Sequence, residues 1–118
     1  MRALVRLLKQ TLPEAISIAH FHDSRGTGIA DCGAALEEGL THFDTALGVT
    51  GGHPAGIAHG EGFAGNVCTE DLVTAFGAMG VATLLDLNKR RAAGLAAESM
   101  PGQTPQSKAL RVGQAAGA

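Results

Sequence analysis

The chain has 118 residues, 45% of them hydrophobic and 17% charged, which is the composition of one small globular domain and not of a disordered chain. A net charge of -2 and an aromatic content of 3% argue against nucleic acid, which selects basic faces and stacking aromatics. The longest strongly apolar stretch without charge, Leu72 to Leu85, is too short to span a bilayer, which takes about 20 apolar residues.

The first element expected is a helix from Arg2 to Gln10, with Leu4, Val5, Leu7 and Leu8 as its apolar stripe and Pro13 closing it. Arg2 and Arg6 flank this apolar start, but Lys9 and Glu14 interrupt it and no cleavage site follows, so it does not read as a secretory signal. Ala15 to Phe21 is short, apolar and isoleucine-rich, as a buried strand should be. Alternation puts Ile16, Ile18, His20 and His22 on one face and Ala15, Ser17, Ala19 and Phe21 on the other. A turn from Arg25 to Gly28 leads into a helix from Ile29 to Glu38, with Ile29, Ala35 and Leu36 as buried candidates and Gly39 as its stop.

His42 to Leu47 reads as the next strand, and a glycine-rich loop runs from Gly48 to Gly65. The chain has 17 glycines, many of them in this loop, so the loop is expected to be functional. Asn66 to Cys68 is a very short strand. Thr69 is expected to cap the next helix, with Glu70 and Asp71 in its first turn, where the helix dipole favours acids. Leu72, Val73, Phe76 and Met79 form that helix's apolar face and Gly80 stops it. Asp86 is expected to cap a last helix that runs to about Ser99. Residues 1–100 thus carry the folded unit, and 101–118, rich in Gly, Pro, Gln, Ser and Ala, are expected to form a mobile tail.

Strands alternating with helices imply parallel βα units. Only about three such units are present, whereas a closed (β/α)8 barrel has eight strands and typically about 250 residues. The fold class expected is α/β, a partial (β/α)8 TIM barrel holding about the last three βα units and a C-terminal helix. More than half of such a barrel is absent from the chain.

The sharpest local signal is His20-Phe21-His22-Asp23 at the end of a strand. A spacing of two puts both imidazoles on one side, where neutral ring nitrogens can share a metal. One isolated histidine is more often a core or surface residue. Two on one strand face, at the carboxyl end where βα folds place their sites, favour ligands. Asn66, at another sheet end, is a candidate third ligand through its carbonyl oxygen, although taken alone it reads as a turn residue. Asp23 and Asp44 could bind metal or orient a histidine, with Asp23 in the stronger position and Asp44 reducible to a strand-end hydrogen-bonding group. In the glycine loop His53 is a candidate proton-transfer group, against the alternative of an inert surface loop, and His59 has nothing further in its support. Arg25 could meet an anion but is more commonly solvated. Cys32 and Cys68 form no metal-type pair and read as packed thiols of a reduced, cytoplasmic protein. Lys89, Arg90 and Arg91 read as a solvated helix face, with coenzyme A phosphate contact as the alternative.

Four runs taken together carry a resemblance: His20-Phe21-His22-Asp23-Ser24-Arg25-Gly26, Phe43-Asp44-Thr45, Gly51-Gly52-His53-Pro54, and Gly65 through Val73 with Asn66, Thr69, Glu70 and Asp71. In order and spacing, over roughly Ala3 to Lys108, the chain resembles the late part of 3-hydroxy-3-methylglutaryl-CoA lyases, metal-dependent TIM barrels of the pyruvate-carboxyltransferase-like (DRE-TIM) type. The resemblance implies that His20 and His22 are metal ligands on the sixth barrel strand and that Asn66 supplies another near the eighth. It implies magnesium or manganese, with zinc compatible with the ligand types, and an acyl-CoA substrate cleaved to acetyl-CoA and a keto acid. Two departures stand out. His53 occupies the position of the family's usual loop cysteine, and the loop from Pro54 to Gly65 looks longer than usual. The family's first-strand Arg-Asp pair, source of a metal-binding aspartate and a catalytic arginine, would precede Met1. The partner expected is therefore a missing N-terminal half-barrel or a homo-oligomer, with turnover by the chain alone expected to be slight. Condensing synthases of the same superfamily share the paired histidines, but the Gly-Gly-His-Pro loop fits lyases better. A non-catalytic fragment is the remaining alternative.

Overall fold

A computed structural model describes residues 1–15, 17–49, 65–100 and 107–112. Helix α1 spans Arg2–Thr11 and buries Val5. It is fastened to the next helix by charge: Arg2 pairs with Glu37, and Arg6 meets the Glu38 carboxylate through two bonds of 2.6 and 2.7 Å. Strand β1 is Ile18–His20, shorter than the run expected from Ala15 to Phe21. Helix α2, Gly28–Glu37, is the crossover that lets β2, His42–Asp44, return parallel to β1. The register pairs Ile18 with His42, Ala19 with Phe43 and His20 with Asp44.

Gly39 ends α2 as expected, and its φ of +84° is the reason glycine is needed. The Gly39 amide donates to the Leu36 carbonyl (2.8 Å) and the Leu40 amide to Ala35 (3.0 Å), the paired bonds of a Schellman motif. The Lys9 ammonium also donates to the carbonyls of Glu38 (2.7 Å) and Gly39 (3.1 Å).

Strand β2 ends at Asp44, short of the strand end expected at Leu47, and the chain enters a 3-10 turn at Leu47–Val49, where the glycine-rich loop was expected to begin. The third expected strand, Asn66 to Cys68, is realised as two isolated bridges, His22 with Asn66 (antiparallel) and Ala46 with Cys68 (parallel). The segment thus crosses the carboxyl ends of both strands. Among the described residues the regular sheet therefore has two strands and not three.

Helix α3, Thr69–Ala78, starts one residue earlier than expected. Cys68, with extended backbone, holds the cap position, and the Thr69 hydroxyl instead bonds the Thr45 hydroxyl at 2.7 Å. Leu72, Val73 and Phe76 are buried as expected, but Met79, on the last turn, is 54% exposed. Gly80 stops the helix with φ +77° and a second Schellman pair: its amide bonds Gly77 and the Val81 amide bonds Phe76. Helix α4, Leu87–Glu98, is capped by Asp86, which accepts from the amides of Asn88 (2.9 Å) and Lys89 (3.0 Å).

Helix α5, Lys108–Val112, lies inside the stretch expected to be tail. It is held by Asp71, whose carboxylate accepts from the Ser107 hydroxyl (3.0 Å) and from the amides of Lys108 (3.2 Å) and Ala109 (2.8 Å). That carboxylate sits in the first turn of α3 and doubles as the cap of a helix 37 residues downstream.

The core gathers Cys32 of α2, Val67 of the bridging segment, and Leu72 and Phe76 of α3, with Phe21, Ile29, Leu36, Phe43 and Val81 packed around them. Phe43 meets Phe76 edge-on at 5.3 Å. Because β2 alternates, burying Phe43 against α3 turns His42 and Asp44 to the opposite face. Among the described residues no helix is long and apolar enough to cross a membrane.

Candidate metal centre

His20 ends β1 directly opposite Asp44, which ends β2. Their side chains leave the same face, and His20 Nδ1 lies 2.9 Å from Asp44 Oδ2. His20 Nε2, at the far side of the ring, lies 3.3 Å from His22 Nε2. The rings meet edge-on, with centroids 5.3 Å apart and planes at 68°. Two metal–nitrogen bonds of about 2.1 Å opening at about 90–109° would set their nitrogens about 3.0–3.4 Å apart. The observed separation falls in that range, so the pair fits as two ligands of one divalent cation.

Asn66 is brought to the same place by the backbone. As the bridge partner of His22, it sends its side chain to the same face of the sheet. The bridge is supported on both sides, by the Asp23 amide to the Gly65 carbonyl (2.9 Å) and the Val67 amide to the Phe21 carbonyl (3.0 Å). Among the described residues no three His, Cys, Asp or Glu side chains converge on a common point. Asn66 carries a side-chain amide oxygen, a donor type compatible with a hard cation beside imidazole.

The two aspartates exchange the weights the sequence gave them. Asp23 follows His22 by one residue, so alternation turns it away from the imidazole face. Its Oδ1 accepts the Gly28 amide at 2.7 Å, at the start of α2. Asp44 is the one that touches a histidine. The sequence alone hid this because the pairing depends on register between strands 24 residues apart. His53 and His59 lie outside the described residues.

Glu70 is a residue whose placement the sequence did not disclose. It reads as a first-turn acid for the dipole, yet it is fully buried. Its carboxylate accepts the Gly48 amide (3.0 Å to Oε2) and the Cys68 thiol (2.8 Å), tying the 3-10 turn to α3. Gly94 of α4 leaves the room: a Cβ there would lie 2.6 Å from Glu70 Oε1. Arg90 donates to the Glu70 carbonyl (3.1 Å) and the Thr74 hydroxyl (3.2 Å), so within the basic run only Lys89 and Arg91 are exposed. Arg25 is exposed as well.

Both thiols are buried, as expected for packed cysteines. Burial, with Asp31 and Asp23 nearby, pushes the Cys32 thiol up to about 11. Burial and then the Glu70 bond push Cys68 up to about 12. Neither supplies thiolate near neutrality.

A parallel βα arrangement with imidazoles at its carboxyl end defines the class, and likeness to known proteins narrows it. The HMGL-like family model matches residues 1–95. The chain is 38% identical over 86 residues to the (R)-citramalyl-CoA lyase of Chloroflexus aurantiacus, covering 73% of this chain and 26% of that protein. It is 35% identical over 106 residues to the hydroxymethylglutaryl-CoA lyase of Pseudomonas mevalonii, covering 90% of this chain and 34% of that protein. Among solved structures, an HMG-CoA lyase from Acinetobacter baumannii in complex with coenzyme A and 3-methylmalate aligns with a TM-score of 0.82 at 30% identity, over 100% of this chain and 39% of that one. The hydroxymethylglutaryl-CoA lyase of Pseudomonas aeruginosa aligns with a TM-score of 0.81 at 28% identity, over 94% and 36%.

The chain belongs to the HMGL-like family, a family of CoA-ester lyases. It spans 26% and 34% of the length of these two curated relatives.

Proposed function

We propose that this chain supplies the paired-histidine part of the metal site of a carbon–carbon lyase that cleaves a 3-hydroxyacyl-CoA into acetyl-CoA and a keto acid. The carrying observation is the 3.3 Å approach of His20 Nε2 and His22 Nε2 at the strand ends. Support comes from relatives named for citramalyl-CoA and hydroxymethylglutaryl-CoA, both thioesters of coenzyme A. The fold that fits is the late part of a (β/α)8 barrel, with β1, β2 and the Asn66–Cys68 segment at the positions of three successive strands.

His20 and His22 would hold the cation through Nε2, and Asn66 through its side-chain carbonyl oxygen. Magnesium or manganese suits mixed oxygen and imidazole donors, and zinc suits the imidazoles. A bound cation supplies Lewis acidity toward the substrate hydroxyl and the carbonyl formed from it. The remaining work is proton movement. The hydroxyl proton must leave as the carbon–carbon bond breaks, and the electron pair of that bond passes to the acetyl-CoA side as an enolate, which must then gain a proton at carbon. His53 is the candidate for proton transfer.

Two imidazoles and an amide bring no negative charge, whereas hard cations favour carboxylate donors. The active site is therefore proposed to be completed by ligands from outside this stretch, which spans only part of its relatives' length. On its own the chain turns over little or nothing. A hybrid joining the amino-terminal part of the Pseudomonas mevalonii lyase to this chain is expected to release acetyl-CoA from hydroxymethylglutaryl-CoA, and His20→Ala in it to lower kcat/KM by at least ~100-fold, the scale of a lost metal contact. A hybrid whose turnover is indifferent to His20→Ala would overturn the assignment.

A further inference from the structure

We propose that Asp44 is the positioning residue of this centre, holding His20 in the Nδ1–H tautomer so that the Nε2 lone pair faces His22. The proposal rests on the paired-histidine reading above and adds to it the group that prepares the ligand. An ionised carboxylate only accepts hydrogen bonds. At 2.9 Å from Asp44 Oδ2, neutral His20 must carry its proton on Nδ1, since a bare Nδ1 would set two lone pairs against each other. Nε2 is then unprotonated and lies 3.3 Å from His22 Nε2, which donates across that gap as Nε2–H when no cation lies between them and must shift that proton to Nδ1 when one does. A neutral histidine side chain in water favours the opposite tautomer, with Nε2 protonated and unable to bind a cation. The carboxylate therefore reverses the ring's own preference.

The backbone enforces the contact. His20 and Asp44 are register partners at the ends of adjacent parallel strands, on the face opposite the Ala19–Phe43 pair. The other nearby acid, Asp23, is engaged with the Gly28 amide. The imidazole of His42 is directed to the Thr41 hydroxyl at 3.0 Å. Carboxylates that accept from the second nitrogen of a ligating imidazole fix its tautomer and aim, and losing them typically costs 10–100-fold in metal affinity.

The test separates tautomer from metal. In the full chain labelled with 15N-histidine and stripped of metal, at a pH where the imidazoles are neutral, long-range proton–nitrogen correlation should show His20 as Nδ1–H. Asp44→Ala should move it toward Nε2–H. Asp44→Asn, whose amide oxygen can still accept, should keep more of the Nδ1–H form. In parallel, Co2+ titration read by visible absorption should show affinity lowered by about 10–100-fold in Asp44→Ala and by less in Asp44→Asn. Circular dichroism identifies any variant that fails to fold, and Asp44→Asn carries the test should Asp44→Ala do so. His20 found as Nε2–H in the unsubstituted chain, or a tautomer unmoved by Asp44→Ala, overturns the proposal. A tautomer that depends on Asp44 in a chain that never binds Co2+ upholds the positioning role and removes the metal reading instead.

Discussion

At Gly28, helix α2 packs tightly against the segment carrying Asn66. A Cβ at that position would lie 2.5 Å from Val67 Cγ2 and 3.0 Å from Asp23 Oδ1. Val67 is fully buried and has no room to retreat. Gly28→Ala is therefore expected to destabilise the chain by about 1–3 kcal/mol, as overpacking does. Urea unfolding would measure this, and Val67→Ala in the same chain should recover part of the loss if the two sites are coupled. An unchanged midpoint would mean that the close approach is not there. The two thiols give a second residue-level expectation. Their ordinary value is 9.0, and the folded chain raises Cys32 to about 11 and Cys68 to about 12. Above pH 9 the unfolded chain releases these protons first, so stability is fully present below that value and falls as pH rises toward 11. The urea midpoint should drop between about pH 8 and about pH 10.5, and drop less in Cys32→Ala; a drop of equal size in that variant would contradict it. At this scale the sequence disclosed the two histidines, because a spacing of two needs only strand geometry. It did not disclose Asp44 or Glu70, whose partners are set by register and by how the 3-10 turn at Leu47–Val49, α3 and α4 meet.

The helices were the most legible elements, and their ends explain why. Gly39 and Gly80 stop α2 and α3 through left-handed glycine, a signal written in single residues. Asp86 caps α4 with bonds to the next two amides beyond Leu87, again a local signal. Helix α5 is the opposite case. Its local cap, Ser107, whose hydroxyl accepts the Leu110 amide (3.1 Å), is itself held by Asp71 of another helix, and the composition around it reads as loop. Asp71→Ala should release α5, costing up to ~2 kcal/mol as other lost caps do. Hydrogen exchange at Lys108 and Ala109 should accelerate while that of α2 is unchanged. Equal acceleration throughout would mean global weakening and not loss of a cap. The strands were less legible because a strand's length depends on what lies beside it. Ala15 to Phe21 has the composition for seven residues of strand, yet among the described residues only Ile18–His20 pair with β2.

On the scale of the whole molecule, two parallel strands joined by a helical crossover present His20, His22 and Asn66 at one end, and the HMGL-like family to which the chain belongs gives that end its chemical meaning. The relatives are longer by a factor that leaves most of their barrel unmatched, with 36% to 39% of the solved lyases covered. His20 and Asp44 have side chains 45% and 63% exposed, so this part of the proposed site stands open to water. A cation held here by neutral donors and solvent is expected to bind weakly until further ligands arrive. The central claim is that the two imidazoles share one cation. Its most direct measurement is Mn2+ binding to the purified chain, followed by loss of the free-ion electron paramagnetic resonance signal. One weak site per chain is expected, abolished by His20→Ala and by His22→Ala alike. Binding that survives both substitutions, or no binding at millimolar Mn2+ even in the hybrid barrel, would contradict it.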